Sequence, residues 1–229
     1  LWMLGALIGD GTISLKEHLA FTNSDIEIIE KFKASVAQIG VKGIPEFSMF
    51  VTDGKTVDKV YQCKIKSGNF KDSVWNLLVK FGLNHKAAEK EIPAQIQYYS
   101  ATEKLAYFLA GMFNTDGGYN IGRQTIEYYS ISKNLVYQLQ AQLLKFGIYS
   151  QVGTKKVSGY DYSSYTLAIG DKDSLRLFKD DILCYIVGEK YNELNNIVLL
   201  NNTGRYFVPE SCKKEFSKYC HDRNLSMRD

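Results

Sequence analysis

The sequence predicts an α+β protein made of two similar halves, each with antiparallel strands and flanking helices. Three observations support this prediction. A short apolar segment that ends in Asp-Gly occurs twice, at Met3–Gly11 and at Leu109–Gly117. The elements predicted after each copy follow the same order: two strands, a helix, two strands and a helix. The composition, with 45% hydrophobic residues, 16 Tyr and only 3 Pro in 229 residues, is typical of a chain that buries a sizeable core.

The first half is predicted to comprise residues 1–92. Ser24 precedes an acidic first turn and is the predicted N-cap of the helix after the first hairpin. Gly40 follows that helix and suits a left-handed C-cap. The elements predicted after the motif are strands Thr12–Leu15 and Leu19–Thr22, a helix through Phe32, strands Glu46–Thr52 and Lys59–Lys66, and a helix Phe70–Lys80.

The second half is predicted to comprise residues 101–204, after a linker at 93–100 in which Pro93 cannot continue a helix. Ser132 and Gly147 are its predicted helix caps. Residues 205–229 form a tail with a predicted polar helix from about Glu210 to Asp222. The elements predicted after the second motif are strands Tyr119–Ile121 and Thr125–Ser132, a helix Lys133–Leu144, strands Tyr149–Val157 and Tyr160–Ile169, and a helix Lys172–Leu183.

The two motif segments carry small residues that predict close packing of two helices. Gly5 and Gly111 lie inside predicted helices, where glycine costs about 1 kcal/mol relative to alanine. Contact between the two backbones would offset this cost. The helices would then end side by side at Asp10 and Asp116, whose like charges require protonation or a cation. A hard divalent ion with oxygen ligands, such as Mg²⁺, fits this need, and such ions support phosphodiester hydrolysis.

Net charge and cysteine content restrict the classes of protein and of partner that the sequence allows. The net charge of +3 permits nucleic acid as a partner without demonstrating it. The four cysteines form no CxxC pair, which favours reduced thiols and an intracellular protein. A zinc site from Cys212, Cys220 and His221 matches no common finger spacing. The apolar run Leu1–Ile8 is too short to span a membrane. Because the chain starts with Leu inside the first motif, we expect a piece of a longer protein.

The two segments resemble the paired motifs of the LAGLIDADG homing endonucleases in their single-chain, two-repeat form. The match is best in Leu109–Gly117, whereas the first motif keeps Gly5, Asp10 and Gly11. Lys90–Pro93 and Tyr129–Ile148 are similar to segments of intein-borne members. Ile8 and Asn114 stand where the family name has its first Asp. The resemblance covers residues 1–200.

The resemblance implies two αββαββα halves in a pseudo-twofold pair, forming a DNA-binding saddle. It implies a monomer that cleaves both strands of a long double-stranded DNA site to leave 3′ overhangs. Mg²⁺ is the implied metal, with Mn²⁺ as a substitute. The residues carried over are Asp10 and Asp116 as metal-binding catalytic acids, Gly9 and Thr115 as further metal ligands, Lys90 and Lys190 as the basic residue of each half, and Asn23 as a contact to the active-site water.

Base and phosphate contacts are expected from the strands. Gln62, Lys64 and Lys66 share one face of their strand and alternate with residues that suit the core. In the second half, the pattern does not decide whether Glu127 and Tyr129 or their neighbours in the strand face the core. The predicted DNA-binding residues are Gln62, Lys64, Lys66, Arg123, Gln124, Lys155 and Lys156, the last two as phosphate contacts.

Two other functions remain open. A member of the same fold could bind DNA as a regulator, or assist RNA splicing as a maturase, without cleaving DNA. An unrelated α+β protein could bind a small ligand or calcium, since Asn114–Asn120 faintly resembles a calcium loop. That segment lacks the terminal Glu expected of an EF-hand.

Overall fold

Two αββαββα units follow one another along the chain and confirm the predicted α+β architecture. The computed structural model describes residues 1–55, 59–99, 101–156, 163–196 and 213–222. The elements of the first unit are α1 (Trp2–Asp10), β1 (Gly11–Thr12), β2 (Ala20–Asn23), α2 (Ile26–Ala37), β3 (Phe47–Thr52), β4 (Val60–Ile65) and α3 (Asn69–Lys80).

The second unit repeats this order after a short helix, α4 (Ala94–Gln97). Its elements are α5 (Glu103–Asp116), β5 (Gly117–Asn120), β6 (Thr125–Ser130), α6 (Lys133–Leu144), β7 (Gln151–Lys156), β8 (Ser163–Ile169) and α7 (Lys172–Asp181). Two helices follow, α8 (Glu189–Asn195) and α9 (Lys213–Asp222). The first strand of the second predicted pair begins at Gln151 rather than Tyr149, and the predicted turn at Ser158-Gly159 lies outside the described residues.

Each unit contains one antiparallel four-stranded sheet with the same strand order. The order is β1-β2-β4-β3 in the first sheet and β5-β6-β8-β7 in the second. Gly11 pairs with Phe21 in the first hairpin, and Gly117 pairs with Tyr128 in the second. These two pairs make Phe21 and Tyr128 equivalent positions of the repeat.

Three of the four predicted helix caps around α2 and α6 are confirmed, and one is wrong. The Ser132 side chain accepts a hydrogen bond from the Leu135 amide at the start of α6. Gly40 and Gly147 have φ values of 65° and 74°, as a left-handed C-cap requires. At the start of α2, however, the cap is Asp25 rather than Ser24, since the Asp25 carboxylate accepts from the Glu27 amide at 2.8 Å.

The segment between the units is packed rather than free. Pro93 immediately precedes α4, and Ile96 within this helix is fully buried. The Ile92 amide donates to Gln138 of α6 at 2.7 Å. The predicted linker is therefore a short helical connection that contributes to the core. Within the described residues, no helix has the length and apolar character needed to cross a bilayer.

The two units meet where α1 packs on α5, and glycine allows their backbones to touch. A Cβ atom on Gly5 would overlap the carbonyl oxygen of Phe108 and lie 3.0 Å from the Met112 amide nitrogen. A Cβ on Gly111 would overlap the Trp2 carbonyl oxygen in the same way. The predicted close approach of the motif helices is thus confirmed.

We expect Gly5→Ala and Gly111→Ala each to destabilise the protein by about 1–3 kcal/mol, because the added methyl group meets backbone atoms that cannot move aside. Urea-induced unfolding followed by circular dichroism measures the change. Gly153→Ala is the matched control: its Cβ would meet its nearest atom, the Thr166 carbonyl oxygen, only at 3.9 Å. Equal stability of all three variants would contradict the backbone contact.

Candidate active site

The paired helices place two carboxylates together at the C-terminal end of their seam. Asp10 ends α1, Asp116 ends α5, and both are half-buried. Gly9 permits this approach, because a Cβ there would overlap Thr115 Oγ1 and lie 3.1 Å from Asp116 Oδ2. The structure therefore brings together the two acids that the sequence singled out.

Each carboxylate has one side-chain hydrogen-bond donor, and the donors differ between the halves. Asn23 Nδ2 donates to Asp10 Oδ2 at 2.5 Å. The hydroxyl of Tyr128, which is fully buried, donates to Asp116 Oδ2 at 3.3 Å. Tyr128 was not among the candidates drawn from the sequence.

The repeat explains why the second donor was missed. Since Phe21 and Tyr128 are equivalent, the counterpart of Asn23 is Ser130. Asn23 Oδ1 accepts from the Asp25 amide at 2.8 Å, and Ser130 Oγ accepts from the Ser132 amide at 3.1 Å. The two hairpins differ by one residue in length, so alignment on the Asp-Gly pair shifts the second strand.

Burial raises the pKa of both acids. The pKa of Asp10 rises from 3.8 to about 6, mainly through desolvation and also through the charge of Asp116, while the hydrogen bond from Asn23 opposes the rise. Burial raises the pKa of Asp116 as well, opposed by Lys90 and by the Tyr128 hydrogen bond. The site therefore holds partly desolvated negative charge that favours a bound cation.

Lys90 is a buried cation at the end of α1. Its ammonium group donates to the carbonyl oxygen of Ile8 and, at 3.1 Å, to that of Gly9. Burial lowers its pKa, while the charges of Asp116 and Asp10 act in the opposite direction. A cation at this helix terminus offsets the unfavourable position of Asp10 at the negative end of the helix dipole.

Lys190 lies in α8 and is held differently from Lys90. Its Nζ pairs with Glu193 Oε2 at 2.8 Å, and Glu193 Oε1 accepts from the Tyr119 amide at 3.1 Å. The positive charge of Lys190 lowers the pKa of both Asp10 and Asp116. Both predicted lysines thus act electrostatically on the carboxylates, although only Lys90 is buried against the seam.

The two lysines are positioned by reciprocal contacts between the halves. The Lys90 carbonyl oxygen accepts from Ser132 Oγ at 2.6 Å, at the N-terminus of α6. The Glu189 amide donates to Asp25 Oδ2 at 2.7 Å, at the N-terminus of α2. The end of each half therefore docks on the second helix of the other half.

The oxygen atoms around the acids can contribute to a divalent metal site. Within the described residues, no group of three or more His, Cys, Asp or Glu side chains could hold a metal ion. The Thr115 hydroxyl donates to the Met112 carbonyl at 2.8 Å, and the Gly9 carbonyl accepts from Lys90, so each of these oxygens already makes a hydrogen bond but keeps a lone pair for a metal. The residues fit a hard ion held by the two carboxylates that takes its other ligands from water or substrate.

The predicted DNA-binding side chains lie on or directly after the strands of the two sheets and in the β5–β6 turn. Gln62 and Lys64 are half-buried and alternate with the buried Cys63 and Ile65, which confirms their phase. Lys64 Nζ lies 4.9 Å from the centre of the Phe50 ring. Lys66 pairs with Glu46 at 3.1 Å.

In the second sheet, the open phase of β6 is resolved. Ile126 and Tyr128 enter the core, so Glu127 and Tyr129 belong to the opposite face. Gln124 has a φ of 55°, a left-handed turn conformation that is uncommon outside glycine. Three predicted contacts on this sheet have exposed side chains: Arg123, Lys155 and Lys156.

Two alternative metal sites find no support. Gly117–Asn120 of the suggested calcium loop is strand β5. Asn114 instead donates to and accepts from the Val187 backbone at 2.8 and 3.1 Å. Of the suggested zinc ligands, Cys212 and the Cys220 side chain lie outside the described residues. Cys63 and Cys184 are free thiols.

We expect the metal-free protein to lose stability as the pH rises from about 4 to about 6. The pKa of Asp10 is higher in the folded protein than its ordinary value of 3.8. The contribution of the Asp10 carboxyl group to the free energy of unfolding is therefore complete below pH 3.8. This contribution is lost as the pH rises through about 6, by roughly 3 kcal/mol in total. Asp10→Asn should remove the part of the loss that is due to Asp10 and leave the part due to Asp116, whereas Asp173→Asn on the exposed face of α7 should retain both parts. Urea unfolding across this pH range, with EDTA present, measures the difference.

Substitution of the two hydrogen-bond donors, Asn23 and Tyr128, tests whether each carboxylate has its own donor. Asn23→Ser and Tyr128→Phe each introduce the residue that the other half has at the equivalent position. Carboxyl ¹³C NMR titration should show a higher pKa for Asp10 in Asn23→Ser only, and a higher pKa for Asp116 in Tyr128→Phe only. Each variant is the control for the other, and a rise in the pKa of both acids in either variant would contradict separate donors.

Comparison with known proteins agrees with this geometry. Residues 103–183 match the model of the LAGLIDADG-like domain. The chain is similar to the ATP-dependent DNA helicase Hel308 of Methanocaldococcus jannaschii, with 42% identity over 90 residues, and to the replication factor C small subunit of the same organism, with 28% identity over 224 residues. These matches cover 35% and 96% of this chain, but the chain spans only 8% and 11% of the two relatives.

Two solved structures share the fold. The structure of I-DmoI in complex with DNA and Mn has a TM-score of 0.52 and 16% identity, over 79% of this chain and 93% of that chain. I-DmoI is a homing endonuclease. Full-length WhiA from Thermatoga maritima has a TM-score of 0.54 and 13% identity, over 97% of this chain and 66% of that one. Residues 103–183 therefore form a LAGLIDADG-like domain, and the chain shares the fold of these LAGLIDADG-type structures.

Proposed function

We propose that this chain is a site-specific double-strand DNA endonuclease of the homing type. The observation that carries the proposal is the pair of half-buried carboxylates, Asp10 and Asp116, at the seam between two equivalent sheets. One acid per half suits a substrate with two antiparallel strands. The proposed products are ends with 3′ overhangs.

Mg²⁺ is the proposed cofactor, with Mn²⁺ as a substitute. Solved I-DmoI complexes contain Mn, Ca or Mg, which supports a divalent ion in this fold. When bound, such an ion would supply activation of water and stabilisation of negative charge on the phosphate under attack and on its leaving oxygen. Asp10 and Asp116 would hold it. The Gly9 carbonyl, shared with Lys90, and Thr115 are weaker candidates.

The neighbouring polar side chains would serve the same reaction. Lys90 and Lys190 supply positive charge on either side of the acids, which would stabilise negative charge that develops on the phosphate. Asn23 holds Asp10 by its amide group. We infer that its main task is to orient this carboxylate toward the metal and the attacking water.

DNA would lie along the outward faces of the two sheets, in its major groove. Polar side chains on this face would read base edges, while lysines on the outer strands would contact phosphates. A single chain with two halves would cover a long site as a monomer. The proposed contacts are Gln62, Lys64 and Lys66 in the first half, and Arg123, Gln124, Lys155 and Lys156 in the second.

We further infer that the segment is an inserted element, of the intein type. Its relatives include a DNA helicase, a replication factor subunit and a translation initiation factor. The matched segment spans 8% to 25% of the relatives found. A segment shared by proteins with such different names is unrelated to their individual activities. Because it is part of their own polypeptides, an in-frame insertion explains it better than an intron reading frame.

The alternative is a member of this fold that binds DNA as a regulator, or assists splicing as a maturase, without cleavage. The similarity to WhiA favours retaining this alternative, because the match to that structure covers 97% of this chain. Retention of both acids argues for cleavage. The two functions differ in one measurable product, a double-strand break.

Incubation with a randomised duplex library and Mg²⁺ tests the proposal. We expect the protein to select and cleave a defined site, and EDTA to prevent cleavage. Asp10→Asn and Asp116→Asn should each reduce double-strand cleavage by at least about 1,000-fold, since each removes a charged ligand of the metal. Asp173→Asn changes an exposed acid and serves as the matched control.

Binding should persist in both active-site variants, because they leave the sheets intact. Selection of a site by the wild-type protein without cleavage in Mg²⁺ or Mn²⁺ would favour the non-cleaving alternative. Cleavage that survives both substitutions would show that the acids are assigned wrongly.

A further inference from the structure

Glu127 is a buried carboxylate outside the candidate active site, on the outward face of the second sheet. Its side chain is only 2% exposed. It accepts hydrogen bonds from Asn120 Nδ2 at 3.2 Å, from Thr125 Oγ1 at 3.0 Å and from the Tyr129 hydroxyl. Arg123 Nη1 lies 3.8 Å from Glu127 Oε1. All five residues belong to the β5–β6 hairpin.

Two of the groups that surround Glu127 reach the surface although Glu127 does not. The Arg123 side chain is 72% exposed, and Tyr129 is 48% exposed. Its cross-strand neighbours are Gly118 and Ala168, which are too small to cover it. The carboxylate is therefore buried by the polar side chains that it binds. One anion fixes the orientation of several surface groups.

Burial of a carboxylate is unfavourable unless the group is fully hydrogen-bonded. The fold itself does not require an acid here, because the equivalent position in the first half is Ala20. That residue pairs with Lys64, whose counterpart in the second half is Ala168, so the first half presents a cation beside the position at which the second half buries an anion. On a face that approaches phosphates, an acid would also repel the substrate unless its charge were compensated. The burial of Glu127 therefore indicates a role in orienting the surface groups that it binds.

The hydrogen bonds determine which groups remain available above Glu127. Tyr129 donates its hydroxyl proton to Glu127, so its oxygen presents only lone pairs to the outside. The raised pKa of Tyr129, about 12, agrees with this state; burial and the bond to Glu127 are its main causes. Arg123 pairs with Glu127 through Nη1 and has further N–H donors in its planar fork. Such a fork matches guanine O6 and N7, and a phenol oxygen matches the amino group of adenine or cytosine.

We propose that Glu127 is a positioning residue that orients Arg123 and Tyr129 for base recognition in the second half-site, with guanine as the base opposite Arg123. This inference rests on the proposed DNA-binding function. The first half has Ala20 in place of Glu127, so the two halves should recognise their bases with different side chains.

Site selection from a randomised duplex library, with wild-type protein and Glu127→Gln, tests the role. The glutamine keeps the size of the side chain but removes the charge that orients the donors. We expect wild-type protein to require guanine at one position of the second half-site. In Glu127→Gln, discrimination there should fall at least about fivefold, since a bidentate arginine contact distinguishes bases by about 1–3 kcal/mol. Preferences in the first half-site should stay unchanged.

Glu46→Gln is the matched control, because it makes the same chemical change beside the exposed Lys66 of the first sheet. It should leave the second half-site unaffected. Titration of ¹³Cζ-labelled tyrosine adds a readout that needs no DNA: the pKa of Tyr129 should fall in Glu127→Gln and stay near 12 in Glu46→Gln.

The outcomes separate the two proposals. If the wild-type protein selects a site and Glu127→Gln yields the same base profile, the role of Glu127 is overturned while the proposed function stands. An absence of guanine preference in the second half-site would overturn the assignment of Arg123. If the wild-type protein selects no duplex, the proposed function fails, and the inference about base recognition fails with it.

Discussion

The backbone contact between α1 and α5 is the constraint on which the rest of the structure depends. Gly5 and Gly111 meet the opposite helix at carbonyl oxygens, where any side chain would overlap. This contact brings the two helix ends together and forces Asp10 and Asp116 into one half-buried site. Burial then raises the pKa of both acids. The chemistry of the site therefore follows from the absence of side chains several residues earlier.

The halves are joined by more than this seam. The segment that ends the first half binds the N-terminus of α6 through Ser132, and the segment that follows α7 binds the N-terminus of α2 through Asp25. Asn114 adds a further connection to the Val187 backbone. Because these segments carry Lys90 and Lys190, the contacts that assemble the two halves also position the positive charge. Separation of the halves would dismantle the candidate site.

The sequence alone predicted the features that depend on local pattern. The repeat, the order of helices and strands along each unit and the paired acids follow from glycine spacing and alternation, which are encoded within short windows. The sequence did not reveal Tyr128, because a one-residue difference between the hairpins moves it out of alignment and its alternation suggests an ordinary core residue. Glu127 was hidden for a related reason. Its burial depends on four side chains that meet only after the hairpin has formed.

The differences between the halves follow a consistent physical logic. The backbone is repeated, yet the donor to the acid is Asn23 in one half and Tyr128 in the other, and the outward face has Ala20 where its counterpart is Glu127. Two identical subunits could not differ in this way, since every substitution would appear in both. A single chain allows each half to adapt to its own surroundings. An asymmetric DNA site would require this freedom, because its two halves present different bases to the two sheets.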